Sequence, residues 1–257
     1  MTRVLTLDPY SPADVVGFRA LGVVTDAVDG LPDAAWRIIG GWMVRAWVEG
    51  TGVGSARPTS DVDLGLLASR GAGKAERVPM RLRDAGLQPF EEPFRLRGPD
   101  DVQVDLLVPP GASRRDPPRV GDQIVFEARG SRLGFELPPE QVSVRMGRDR
   151  IGFPTVRLAA ALVVKAIVLG IGRSRRVEVD AVDVARLLSV VRFDPMEAIA
   201  DLRAHGRKTE VKDARRQLQR LFAREEDAGS RLVAREVGSA TALTAVADVR
   251  WLIEQLV

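Results

Sequence analysis

Two aspartates, Asp61 and Asp63, stand two residues apart in the stretch ARPTSDVDLGLL, residues 56–67. A strand alternates faces with a period of two, so Val62 and Leu64 point one way and Asp61, Asp63 and Gly65 the other. Aspartate is depleted in strands, and like charges on one face repel, so the pair calls for compensation. A third acid, Asp105, sits in a second apolar run, DVQVDLLVPP at 101–110. If those two strands are neighbours, the three carboxylates converge. Hard oxygen ligands suit Mg2+, which takes a few carboxylates, waters and substrate phosphates. Two such ions about 3.5–4 Å apart would clamp the attacking and leaving oxygens of a phosphoryl-type displacement. The expected cofactor is a pair of Mg2+ ions held by Asp61, Asp63 and Asp105.

Upstream, IIGGW at 38–42 offers a strand, a diglycine turn and a helix start. Gly40 and Gly41 allow close backbone approach, and the helix N-terminus presents N–H groups and a positive dipole end to a phosphate. A plain strand-to-helix turn would read the same, and solvated acids would give the same D-x-D. The three features in this order favour catalysis over coincidence. Further on, LAAALVVKAIVLGI (158–171) carries Lys165 on a helix that is apolar on nearly every side. A buried ammonium needs a partner. Asp180 and Asp183, three apart on one helix face, could anchor it, or one of them could accept a proton from an attacking hydroxyl. Both are equally readable as a first-turn acidic pair favoured by the helix dipole. A triphosphate is the alternative partner for Lys165.

The elements that position these groups follow from pattern. Helical spacing spans 12–29, a strand covers 35–39, and a short helix follows over 42–49. GAGKAERVPMRLRDAG (71–86) reads as a helix interrupted by Pro79, its GAGKAE start lacking phosphate-loop spacing. From 123 to 153, QIVFEA, LGFEL and VSVRM alternate with Gly and Pro, the texture of β-hairpins. From Pro154 onward nearly everything is helix-compatible. The expectation is an α+β domain over 1–153, a mixed sheet with flanking helices, followed by a helical domain over 154–257.

Composition narrows the chemistry. The 257 residues include no cysteine and one histidine, His205, which excludes disulfides and thiolate metal sites and disfavours zinc and Ser/His/Asp mechanisms. The N-terminal MTRVLTLDPYSPAD lacks the apolar run of a signal peptide, and 158–171 is too short to span a bilayer. A soluble, cytoplasmic protein without a membrane partner is expected. Net charge is +3, but residues 203–224 hold eight Lys/Arg against two acids. Lys208, Lys212, Arg216, Arg220 and Arg224 recur every four residues beside the apolar Val211, Ala214, Leu218 and Leu221. That stripe reads either as a solvated face or as a track for a phosphate backbone.

Taken together, GGW…RPTSDVDL followed by VQVDLL resembles the nucleotidyltransferase superfamily of the DNA polymerase β type. More narrowly, R-x-T-x-D-V-D-L resembles the AbiEii/MenT-type toxin nucleotidyltransferases. The resemblance implies a nucleotidyltransferase-type mixed sheet and nucleotide contacts from Gly40, Gly41, Arg57, Thr59, Ser60 and Lys165. It also matches a helix lysine, a basic stretch and a later acidic helix start, here Lys165, then Arg173, Arg175 and Arg176, then Asp180 and Asp183. Two departures stand out: a long interval from Gly41 to Asp61, and Val179 in place of a lysine. The implied activity is transfer of a nucleoside monophosphate from an NTP to an acceptor, with a tRNA 3′ end as acceptor and an antitoxin protein as partner. The alternatives are a small-molecule acceptor such as an aminoglycoside, or a catalytically silent nucleotide-binding regulatory module.

Overall fold

The computed structural model describes residues 3–8, 10–67, 73–111, 116–171 and 177–256. The chain divides into two compact units, Met1–Ala46 with Arg57–Val156, and Trp47–Ala56 with Arg157–Val257.

The first unit is built on a mixed sheet. Its strands are β1 (Arg3–Leu7), β2 (Trp36–Ile39), β3 (Asp61–Leu66), β4 (Gln88–Phe90), β5 (Glu92–Arg97), β6 (Gln103–Val108), β9 (Phe126–Glu127), β10 (Glu140–Met146) and β11 (Asp149–Thr155), with β7 (Arg119–Val120) and β8 (Gln123–Ile124) pairing separately. The order is β1-β10-β11-β2-β3-β6-β5-β4, and β9 also pairs with β6. The central pair, β3 and β6, runs parallel, while β2 and β5 flank it antiparallel. Period-two alternation sorts the two faces. Val62, Leu64 and Leu66 on β3, with Val104, Leu106 and Val108 on β6, join Phe18, Leu21 and Val24 of helix α1 (Pro12–Ala27) in the core. α1 starts where Ser11 accepts a hydrogen bond from the Asp14 amide and Pro12 opens the first turn. The opposite face therefore receives Asp61 and Asp63.

Sequence and structure part in several places. Helix α2 (Gly40–Val48) starts at the diglycine itself. The helix expected over 71–86 is a 3₁₀ turn, Ala75–Arg77, followed by α3 (Val78–Asp84), with Pro79 tolerated because it falls in the first turn; residues 71 and 72 of that stretch lie outside the described ones. LGFEL, expected as a hairpin strand, is a short helix, α4 (Arg132–Glu136). One helical turn buries Leu133 and Phe135 together, so the apparent alternation there was not a strand signal. QIVFEA is broken at Val125 into β8 and β9, whereas VSVRM lies within β10. β11 runs through Pro154, which pairs with Gln141, before the helices begin.

The second unit is helical apart from loop residues: α5 (Leu158–Ile171), α6 (Val177–Phe193), α7 (Pro195–Ala204), α8 (Thr209–Phe222), α9 (Ala228–Val237) and α10 (Ser239–Gln255). α5 packs on α6, α7 and α8, and α6 packs on α9 and α10. Among the described residues, no helix is long and apolar enough to cross a membrane.

Candidate active site

The acids of the sheet unit fall into rows. Asp63 is the register partner of Asp105 across the parallel β3/β6 pair, and Asp61 is that of Gln103. Partners in register share a face, about 4.8 Å apart between neighbouring strands, so Asp61, Asp63 and Asp105 stand on one side of the sheet. Asp105 is buried, while Asp61 and Asp63 are half-buried.

The diglycine closes over this row. Gly40 has φ +64°, a left-handed value that favours glycine, and a Cβ there would lie 1.6 Å from Asp63 Oδ2. A Cβ on Gly41 would lie 2.7 Å from Thr59 Oγ1 and 3.4 Å from Arg57 Nη2. The two glycines thus let the start of α2 rest directly on the residues that precede and form β3. Thr59 is buried and donates its hydroxyl to Asp61 Oδ1 at 2.8 Å. Ser60 is exposed beside it. Among the described residues Arg57 makes no ion pair, and its Nε is buried with no hydrogen-bond partner. A cation left in this way beside a helix N-terminus is suited to receive an anion.

Two residues that sequence reasoning missed complete the geometry. Gly17 of α1 faces the loop before β3: a Cβ there would lie 2.3 Å from the Thr59 carbonyl oxygen, so only glycine lets that loop pass. Arg95, on β5, is the register partner of Asp105. Its Nε donates to Asp105 Oδ1 at 2.9 Å and its Nη2 to Asp105 Oδ2 at 2.8 Å, a two-pronged charge-assisted pair. The hydrogen bonds it donates to Asp105, aided by the charges of Asp105, Asp61 and Glu91, hold the Arg95 guanidinium above its already high pKa despite partial burial. The signal for Gly17 was a glycine inside a helical pattern. EPFRLR, holding Pro93 and three charges, gave no strand signal for Arg95.

The donor set decides how well a divalent cation fits. Asp61 and Asp63 offer hard oxygens on one strand face, and magnesium is commonly held by one or two carboxylates plus substrate phosphates. Asp105 does not extend this to an all-protein cage, because both of its oxygens accept from Arg95. Among the described residues, no group of three or more His, Asp or Glu is placed to hold a metal ion. The residues fit a cation shared with a phosphate-bearing substrate.

In the helical unit, Lys165 is buried on α5 and reaches α6. Its Nζ lies 2.9 Å from Asp180 Oδ1 and 2.8 Å from Asp183 Oδ2. Burial alone would lower this ammonium's pKa, but the charges of Asp183 and Asp180 outweigh it and push the pKa above the usual lysine range. The basic stretch Arg173, Arg175 and Arg176 lies outside the described residues. On α8, Val211, Ala214, Leu218, Leu221 and Phe222 are buried and Lys212, Arg216 and Arg220 exposed. Lys208 is the N-cap and Arg224 lies past the helix end, both also exposed. Arg216 pairs with Asp213 at 2.6 Å, Arg220 donates to Gln217 Oε1 and to the Gly170 carbonyl, and Arg224 lies 4.0 Å from Glu226. His205 caps nothing reactive; its Nδ1 lies 2.9 Å from the Asp201 carbonyl oxygen at the end of α7.

No family model and no curated protein matches the chain. Among solved structures, the chain is similar to an antigenic nucleotidyltransferase-like protein from Paracoccidioides brasiliensis, at 16% identity and a TM-score of 0.43, covering 93% of this chain and 94% of that one.

Proposed function

We propose that the protein is a metal-dependent nucleotidyltransferase that moves a nucleoside monophosphate from an NTP to an acceptor hydroxyl. The observation that carries this reading is Arg57, a guanidinium without an ion-pair partner among the described residues, set against the diglycine start of α2 and beside the Asp61–Asp63 strand. An anion site and a pair of hard-oxygen donors on adjacent backbone are what a nucleoside triphosphate with its cation requires.

In this reading the triphosphate lies over the Gly40-Gly41 amides with Arg57 at its outer oxygens, and Thr59 orients Asp61 through their hydrogen bond. Ser60, exposed on the same loop, is within the same nucleotide-binding segment. Bound Mg2+ at Asp61 and Asp63 would supply charge neutralisation of the phosphates and of the leaving group. The acceptor oxygen forms a bond to the α-phosphorus, the bond from that phosphorus to the β-phosphate bridging oxygen breaks, and pyrophosphate departs. The acceptor's proton goes to a carboxylate of the acid face. Lys165, Asp180 and Asp183 belong to the proposal as a group that reaches the nucleotide only if Lys165 gives up one of its two ion pairs.

The proposed acceptor is a tRNA 3′ end held by Lys208, Lys212, Arg216, Arg220 and Arg224, with an antitoxin protein as regulator. The support is the exposure of all five cations in a segment with eight basic and two acidic residues. The test is incubation of the purified chain with each labelled NTP, Mg2+ and either total tRNA or an aminoglycoside panel. Label entering tRNA is the expected result. Label entering only the drugs replaces the acceptor, and NTP binding without any transfer replaces the enzyme by a nucleotide-binding regulator.

A further inference from the structure

Among the described residues, the non-glycine positions with left-handed φ are Glu91 at +56°, Asp100 at +56° and Asp101 at +60°. Each holds an arginine. Glu91 Oε2 lies 3.6 Å from Arg95 Nη1, Asp100 Oδ2 lies 2.9 Å from Arg19 Nη1, and Asp101 Oδ1 accepts from Arg97 Nη2. Aspartate tolerates this conformation singly, but Asp100 and Asp101 adopt it in succession. Such strain costs more than an exposed ion pair returns, so stability does not account for the Asp101–Arg97 pair. What the pair does is fix the Arg97 guanidinium in place. That guanidinium is set on an aromatic: its carbon lies 4.7 Å from the centre of the Phe90 ring. Phe90 is 36% exposed and the Arg97 side chain 41%, so both are open to a ligand. Strand pairing sets Arg97 of β5 opposite Gln103 of β6, and Gln103 opposite Asp61 of β3. The three therefore share one level of the face that carries the acids. From β3 to β5 is two strand spacings, about 10 Å, a distance of the order that a ribose and its base cover. Gln103, half-buried between the two, has no side-chain partner among the described residues, and its amide offers both a donor and an acceptor.

We propose that Phe90 and Arg97 form a stacking platform for a nucleobase, with Gln103 at the edge of that base. This rests on the nucleotidyltransferase reading, which puts the triphosphate at Gly40, Gly41 and Arg57 beside β3; the base then extends over β6 toward β5. An aromatic ring and an arginine plane are the surfaces on which an unpaired base stacks, and an amide reads its edge by hydrogen bonds. The base belongs either to the NTP or to the terminal nucleotide of an RNA acceptor, since the same chemistry serves both. An ordinary surface contact between Phe90 and Arg97 would differ in one respect. It would change stability when removed, without distinguishing a ligand that carries a base from one that does not.

The experiment titrates the full chain, in Mg2+, against two probes whose emission is quenched on stacking: 2-aminopurine riboside triphosphate, and a short single-stranded RNA ending in a 3′ 2-aminopurine. Inorganic tripolyphosphate, which has no base, is titrated by calorimetry, and circular dichroism establishes folding. Wild type is expected to quench the triphosphate. Phe90→Leu and Arg97→Gln should lose the quench and bind the triphosphate at least about fivefold more weakly, with tripolyphosphate affinity near wild type. Phe90→Trp should keep the quench, and Phe126→Leu, at another exposed ring, should change nothing. If Arg97→Gln fails to fold, Phe90→Leu carries the test. Quenching of the RNA probe but not of the triphosphate upholds the platform and gives it to the acceptor's terminal base. Binding without quench in wild type, an unchanged quench in folded Phe90→Leu, or an equal loss of tripolyphosphate affinity overturns the platform and leaves the nucleotidyltransferase reading standing. No binding of either probe by wild type overturns both.

Discussion

Both units put acids beside a cation, and the two arrangements differ in what they leave to the outside. In the helical unit, Lys165 holds Asp180 and Asp183 at 2.9 and 2.8 Å, and all three side chains are 10% exposed or less. In the sheet unit, Arg95 pairs with Asp105 and Glu91, while Asp61 and Asp63 stay half-buried next to a diglycine turn and Arg57. The first cluster is closed on itself. The second is less deeply buried, with Asp61 and Asp63 only half-covered. Burial, rather than the residue types, separates a group suited to anchoring helices from one suited to receiving a ligand.

Breaking the closed cluster should have the largest effect. Lys165→Met keeps the apolar stem but leaves two buried carboxylates facing each other, and losing one partner of a buried pair costs about 3–5 kcal/mol. Urea denaturation should show that loss. The same pair fixes an alkaline limit. Because folding raises the Lys165 pKa above its ordinary value of 10.5, the folded chain keeps its proton after the unfolded chain has lost it. The stabilisation is therefore complete below that value and declines as pH rises past it, which denaturation midpoints on either side would reveal.

The open cluster should respond in the opposite sense. Asp63→Ala removes one of three acids on a face, so stability should hold or rise slightly. Transfer, by contrast, should fall by about 100-fold or more if the carboxylate supports phosphoryl chemistry. Measuring melting and label transfer on the same preparation checks both halves, and a parallel loss of fold would erase the contrast between the clusters. The smallest effect should come from Gly40→Ala. A non-glycine residue in the left-handed region costs about 1–2 kcal/mol, and the added Cβ must push Asp63 aside. A modest drop in melting temperature with a clear loss of NTP affinity, by calorimetry, would tie the turn to the open cluster.

The sequence made one side of this contrast plain and concealed the other. Asp61 and Asp63 were legible because two charges interrupt a strand whose other face is uniformly apolar, and Asp105 because it repeats that interruption in a second run. Their convergence depended on strand neighbours, which only the β3/β6 pairing supplies. Arg95 was hidden for a physical reason. Its strand contains Pro93 and is partly exposed and charged, so its pairing rests on β6 rather than on its own pattern. β1, whose Leu5 and Leu7 are buried, is likewise short and pairs with a strand far along the chain. The α5–α6 helices were readable as helices, and Asp180 and Asp183 as candidate partners of Lys165, but the choice between carboxylate and phosphate required the distances.

Residues 47–56, which begin inside α2, are grouped with the helices after residue 156 rather than with the sheet that precedes and follows them. The helical body is thus discontinuous along the chain. A break at Val156 would keep the sheet unit whole on the amino-terminal fragment but leave residues 47–56 of the helical unit there, so the carboxy-terminal fragment would hold that unit incomplete. Genetically, such a body is not gained or lost by joining a segment to the end of a gene. The glycine turn at Gly40 and the helical unit share one helix, so exchange between proteins would have to carry both together.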